Sequence, residues 1–401
     1  MDASKNSRLA FLLYLGSMTA IGPLAIDMYL PALKTISTDL NASMAEIQFS
    51  LTSFFVGVAL GQFFYGPIVD RFGKRKPLLL GVGLYLIGAL LCSMAINKEM
   101  LIFARFIQAF GGASGMVISR VIVREQFVKN EAAKIFSMLM MIIGVAPILA
   151  PTLGAFFDVY FGWQSIFYFL ASFSLFVWIR SFFLVKETRK EIKAHDKKIF
   201  LHELALEIRY FKEVITDKTF IIPSLSGALM QSALFAYIAG SAYLIIEYFH
   251  ISSSTYSIIF GLNAVALIGC AQINAKLVGN YQLEKIFFTA QKAHWILSLI
   301  LLSVALFFPS PYVFIAALMA CLGSLGFTFP NATALALAYT KHTGRASALM
   351  GTIQFTLAAI SSSIVNAIQA HHPMAMAFVI IGVSTLSNIL FFFYKNPEEN
   401  L

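Results

Sequence analysis

The chain has 401 residues, 59% of them hydrophobic and only 12% charged, about half the charged share of an ordinary soluble domain. A soluble protein must cover its core with polar side chains, so this balance excludes a soluble enzyme, a disordered chain and a secreted disulfide scaffold. The net charge of +9 would suit a nucleic-acid binder in a soluble protein, but in so apolar a chain it points to lysine- and arginine-rich loops on the cytoplasmic face of a membrane.

Apolar runs of roughly 20 residues, the length that crosses a hydrocarbon core, occur twelve times: 9–31, 46–68, 77–97, 99–122, 134–157, 163–184, 220–247, 255–275, 286–308, 311–337, 346–369 and 374–394. The expected fold class is an all-α membrane protein. Its twelve transmembrane helices form two pseudo-symmetric six-helix bundles, residues 1–184 and 220–401. The seventh run starts 211 residues after the first, a regularity that suggests duplication of a six-helix unit. The first run reads as a span and not as a cleavable signal, because it is long, carries Asp27 near its end and lacks a small-residue cleavage site.

With the N-terminus placed in the cytoplasm, 23 of the 29 lysines and arginines fall on the cytoplasmic side and only Lys34 and Lys98 on the other. Both termini and the segment 185–219 are therefore expected inside. That segment carries nine basic and seven acidic residues. Within it Leu201, Leu204, Ile208, Phe211 and Ile215 recur at helical spacing, which predicts an amphipathic helix on the membrane surface. It reads as a solvated tether between the halves, with a binding module as the other reading.

Span one ends Ile26-Asp27-Met28-Tyr29-Leu30-Pro31, and Asp27 is the one acid well inside a span of the first half. The loop after span two reads Gly66-Pro67-Ile68-Val69-Asp70-Arg71-Phe72-Gly73-Lys74-Arg75-Lys76. Gly66 and Gly73 are expected to let the backbone turn tightly, and Asp70 stands as one acid among four bases. By itself this is also what a positively charged hairpin loop looks like. Span four opens Arg105-Phe106-Ile107-Gln108 and continues through Gly111 and Gly115, a G-x-x-x-G step that allows close helix approach. An arginine at membrane depth costs about 2.5–3.5 kcal/mol on insertion scales, so Arg105 needs a partner or a wet cavity. Counted from the outer ends of their spans, Asp27 and Arg105 lie at similar depth. A facing pair is allowed, either as a coupling pair or as a purely structural ion pair. Span five contains Gly144, Pro147, Ala150, Pro151 and Gly154. Ala146, Ala150 and Gly154 make one face uniformly small, while the two prolines each remove a backbone donor. A Pro-kinked packing helix would read the same way.

These motifs resemble the major facilitator superfamily, whose loop between spans two and three reads G-x-x-x-D-R-x-G-R-R; here Lys74 replaces the first arginine of the closing pair. The resemblance implies a cytoplasmic gate built from Gly66, Asp70, Arg71, Gly73 and Arg75. Arg124 at the end of span four and the Gly344–Ser347 region would be its partners. The equivalent loop of the second half, Lys276–Lys285, lacks the Asp-Arg pair. Span five resembles the antiporter motif G-P-x-x-G-G, with Ala150 and Ala155 in place of two glycines. The family also places an arginine in span four and links it to proton coupling, which here falls on Arg105 with Asp27. Together with Gln62, Gly162-Trp163 and Gly344–Gly351, the chain is similar to the bicyclomycin/chloramphenicol resistance branch of the drug:proton antiporters. Tyr29, Gln108 and Arg120 are then expected at the substrate cavity.

The expected function is proton-coupled efflux of small amphipathic compounds across the bacterial inner membrane by a monomer. The alternative is ion-coupled transport of one cellular metabolite, an amino acid or a siderophore. No G-x-x-x-x-G-K-[ST], H-E-x-x-H or G-x-S-x-G pattern occurs, which argues against ATP hydrolysis and intramembrane catalysis. No cofactor, metal or nucleic acid is expected: His371-His372 lacks a second pair at zinc spacing, and Cys92, Cys270 and Cys321 lie in apolar runs as buried thiols. Glu247 reads as solvated, and Lys292 as reaching along its span toward the surface.

Overall fold

The computed structural model describes residues 2–126, 129–185, 215–278, 280–307, 310–338, 343–369 and 374–394. The helices are α1 (Asp2–Asp27), α2 (Leu33–Asp39), α3 (Met44–Phe72), α4 (Arg75–Ser93), α5 (Lys98–Gln126), α6 (Lys129–Phe161) and α7 (Gln164–Leu184), followed by α8 (Lys218–Ala242), α9 (Ser253–Leu277), α10 (Leu283–Phe307), α11 (Pro311–Ala338), α12 (Thr343–Gln369) and α13 (Ala375–Phe392). Eleven helices among the described residues are long and apolar enough to cross a membrane, and α6 adds a shorter apolar stretch, Ala146–Phe161. Helices are forced on these runs because hydrocarbon offers the backbone no hydrogen-bond partner. The side-chain pattern is that of a protein solvated by lipid. Leu80, Ile87, Phe103 and Phe183 are each more than half exposed, while Ser174, Ser226, Ser384 and Ser387 are buried. The predicted amphipathic helix of the linker and the His371-His372 pair lie outside the described residues.

Two spans end in features that the sequence does not mark. The first span does not stop at residue 31. After a turn at Met28–Tyr29 the chain makes a 3-10 turn, Leu30–Ala32, and continues as α2 to Asp39. Pro31 sits at the start of that 3-10 turn, where its missing N–H is tolerated. The seventh span closes in a π-helical turn, Tyr243–Tyr248, which contains Glu247. Of the two loop glycines, only Gly73 turns the chain, with φ +76°. Gly66 lies inside α3 instead, because the apolar helix runs on through Pro67 to Phe72.

The chain forms two compact units. The first holds residues 1–43 and 53–197. In it α4 packs on α5 and α7, and α1 packs on α5, α6 and α7. A Cβ built at Gly111 would stand 2.4 Å from the Tyr85 nitrogen, so α4 and α5 touch backbone to backbone. Polar ties cross the helices: Tyr14 to Ser181 at 2.7 Å, and the Trp178 indole donating to the Leu79 carbonyl at 2.9 Å.

The second unit holds residues 44–52 and 198–401. Here α8 packs on α11, α12 and α13, while α11 also packs on α9 and α10. Gln291 on α10 donates to Ser226 on α8 and Ser387 on α13. Asn331 on α11 donates to Asn274 on α9, and the His294 ring nitrogen Nδ1 bonds Ser324 at 2.9 Å. The opening residues of α3 join this unit through uncharged groups of α12. Thr52 meets Ser362 at 2.7 Å, Asn366 donates to Thr52 at 3.3 Å, and Gln369 donates to Gln48. Buried amides and hydroxyls of this kind hold apolar helices together where lipid gives them no reason to associate.

Candidate functional site: the break after α1 and the Arg105 cage

The chemistry of the first unit gathers where α1 ends. Asp27 is the last residue of α1 and is 4% exposed. Tyr29, two residues on, lies in the turn before the 3-10 segment and is wholly buried. Its ring faces the guanidinium of Arg105, on the first turns of α5, with the Arg105 carbon 4.6 Å from the ring centre. Phe54 from α3 stands on another side at 4.3 Å and Phe167 from α7 at 5.9 Å. The negative faces of aromatic rings attract a desolvated cation, so two helices and the turn together cage Arg105. Gln108, one helical turn along α5, accepts from Arg105 Nη1 at 2.8 Å. The Nε and Nη2 groups of Arg105 and the Nε2 group of Gln108 are buried without a hydrogen-bond partner.

This arrangement differs from the expected contact. Both residues sit in the same unit, but no ion pair joins Asp27 to Arg105. The reason is the direction of the guanidinium: it turns onto Tyr29, Phe54 and Phe167 and bonds Gln108. Tyr29 and Gln108, expected at a substrate cavity, are the arginine's immediate neighbours. Arg120 lies about four turns beyond Arg105 on α5 and is half-buried.

The small face of α6 closes this end of α1. Ala150 is fully buried and Ala155 is 5% exposed, and Pro147 and Pro151 are both accommodated inside the helix. Gly154 is the tightest point. A Cβ built there would lie 2.0 Å from the Met28 carbonyl oxygen and within 3 Å of two further Met28 backbone atoms. One turn on, Asp158 accepts a hydrogen bond from Thr35 of α2 at 2.9 Å. Beyond it Trp163, 1% exposed, donates to Asp39 at 2.8 Å. The side-chain surroundings of Gly144 lie outside the described residues.

At the other end of the unit, Lys74 is buried and stands just before the first residue of α4. Arg75 donates to the Phe182 carbonyl at 3.0 Å and lies over the Phe182 ring at 4.9 Å, which ties the loop to the end of α7. The side chains of Asp70, Arg71, Arg124, Arg345 and Ser347 lie outside the described residues. In the second unit, Lys292 is exposed and sits 4.0 Å over the Phe288 ring.

A model of the Major Facilitator Superfamily matches residues 15–363. The chain belongs to that superfamily. It is accordingly a multi-pass membrane transporter of small molecules and not an enzyme. The superfamily member is 30% identical over 390 residues to the uncharacterized MFS-type transporter YdgK of Bacillus subtilis, covering 96% of each chain. It is 27% identical over 390 residues to a bicyclomycin resistance protein homolog of Haemophilus influenzae, covering 97% of each. Its fold matches that of a D-xylose-proton symporter with a TM-score of 0.74, over 98% of this chain and 99% of the other, at 13% identity.

Sequence reasoning reached Asp27, Arg105 and Gly154 because a charge or a small-residue stripe in an apolar run stands out. It missed Phe54 and Phe167, since two phenylalanines among 39 carry no mark. Thr35, Asp39 and Asp158 were missed because the first span was ended before α2.

Proposed function

We propose that this transporter is a proton-coupled exporter of small amphipathic compounds. It works by alternating access in the bacterial inner membrane, as a monomer with both termini in the cytoplasm. The observation that carries the reading is the buried carboxyl of Asp27 at a helix break, against which the small face of the antiporter-like helix α6 is pressed. In general a carboxyl in a dry apolar site keeps its proton, and one that is wetted or faces a cation gives it up. A cavity that opens first to one side and then to the other changes both influences, so a proton taken from outside is released inside. A bound substrate, especially a cationic one, competes with the proton by stabilising the ionised carboxyl.

Arg105 is the nearby positive charge in this scheme. Held in its aromatic cage it leaves Asp27 free to hold a proton, and its buried unpartnered N–H groups are available for a carboxylate when the cage rearranges. Asp70 with Arg71 and Arg124 closes the cytoplasmic side. The printed name of the Haemophilus relative, a bicyclomycin resistance protein homolog, supports a drug-like substrate. The test is pH-jump transport in proteoliposomes with wild type and Asp27→Asn. The variant should lose gradient-driven accumulation and the pH dependence of transport while keeping detectable substrate binding. Accumulation against a gradient with an unchanged pH profile would remove Asp27 from the mechanism. Expression in a drug-hypersensitive bacterium, screened with a compound panel, separates export of many compounds from transport of one metabolite.

A further inference from the structure

We propose that Gly154 is a positioning residue for the coupling carboxyl: its missing side chain seats the Met28 carbonyl on α6 and so fixes where Asp27 and Tyr29 sit. The inference rests on the reading of Asp27 as the coupling residue and adds what holds it in place. Met28 is the residue between the carboxyl and the aromatic ring that faces Arg105. Its backbone has no slack toward α6. Contacts below 3.0 Å are not tolerated by a real Cβ, and the Cβ of an alanine at 154 would meet the carbonyl oxygen, carbonyl carbon and Cα of Met28 at 2.0, 2.7 and 2.8 Å. All three are backbone atoms, so no side-chain rotation relieves the overlap. The helices must part by about 1 Å or more, and the displaced residue is the one bonded to both Asp27 and Tyr29. Displacements of that size at a site of chemistry cost turnover by about a hundredfold in well-studied enzymes.

The seam continues away from Gly154 in one direction only through a polar contact, Thr35 to Asp158. The charged and titratable groups on the helices packed on α1 include Arg105 and Arg120 on α5, Asp158 on α6 and Arg180 on α7, with the Tyr85 hydroxyl of α4 reaching α1 as well. Arg105 bonds Gln108, Asp158 bonds Thr35, and the Tyr85 hydroxyl donates to the Ile21 carbonyl at 3.3 Å. None of them bonds Asp27. What sets the carboxyl's place is therefore the backbone on either side of it, and Gly154 lies directly against that backbone at Met28.

Two readouts test the inference on the full-length protein in membranes. The first is the rate at which a membrane-impermeant thiol reagent modifies Asp27→Cys, in a background where Cys92, Cys270 and Cys321 are alanine. The second is the midpoint of the transport pH profile with Asp27 intact. Gly154→Ala should change the modification rate severalfold and move the pH midpoint. Gly326→Ala makes a comparable backbone overlap in the second unit, with the Leu267 carbonyl oxygen and the Ala271 nitrogen. It should lower thermal stability and leave both readouts alone. Thr35→Val loosens the same seam without an overlap and should change the modification rate in a smaller measure, which decides the matter if Gly154→Ala does not accumulate. Unchanged modification of Asp27→Cys in Gly154→Ala or, failing that, in Thr35→Val overturns the inference. So does an equal change in Gly326→Ala. A retained pH profile in Asp27→Asn would instead refute the coupling reading, and the labelling rates would still judge the positioning.

Discussion

Replacing Arg105 probes whether the aromatic cage is an energetic unit. The guanidinium is wholly buried, with two ring centres at 4.3 and 4.6 Å. Each such contact contributes about 2 kcal/mol when desolvated. The bond to Gln108 at 2.8 Å adds roughly 1.5–3 kcal/mol as a charged hydrogen bond. Together these come to about 5–7 kcal/mol, against about 2.5–3.5 kcal/mol for placing an arginine at membrane depth. Arg105→Ala should therefore destabilise the protein by about 2–4 kcal/mol before any cavity cost. Arg105→Lys keeps the charge but loses the planar fork that stacks on rings and meets Gln108, and should recover only part of the loss. The assay is unfolding in mixed detergent and dodecyl sulfate micelles, run as a double-mutant cycle of Arg105→Met with Phe54→Leu. The coupling energy should be about 1–2 kcal/mol, since each single change removes the same contact. A coupling below about 0.5 kcal/mol would show that the rings merely pack around the arginine and that the cage argument is wrong.

Three further outcomes follow from the sequence and the fold. Single cysteines should react with an impermeant reagent from outside at 250–254 and not at 195; the opposite pattern would invert the topology drawn from the basic residues. Asp70→Asn should lower turnover while leaving substrate affinity largely intact, because the loop acts on gating and not on binding. Normal turnover at normal membrane levels would reduce the loop to a topology signal. Thr52→Val removes its bonds to Ser362 and Asn366 and should cost about 1 kcal/mol, at roughly 0.6 kcal/mol per intramembrane bond. The loss, measured by the same unfolding assay, should not vary with salt or pH, because every partner is uncharged; a strong dependence on either would contradict that.

The membrane class and the succession of apolar spans were legible from residue type alone, and the same pattern of basic loops carries the expected topology. Apolar run length is set by bilayer thickness and loop charge by the insertion machinery, so neither needs a partner elsewhere in the chain. The small stripe Ala146, Ala150, Gly154 and the lone acid Asp27 were legible for a related reason: each is unusual in its own run. What they touch was not. Arg105 was read as the partner of Asp27 because opposite charges at equal depth invite pairing, yet its direction is set by three rings from α3, α7 and the turn after α1. Four separate stretches of chain must converge before those rings surround one guanidinium. The same holds for Gly154. Glycine marks a place where backbones come close, but only packing decides which backbone arrives, and here it is that of Met28. The continuation of the first span into α2 depended likewise on contacts made far along the chain, from Thr35 to Asp158 and from Asp39 to Trp163. A helix break and restart is stabilised by such neighbours, and no local pattern of hydrophobicity records them.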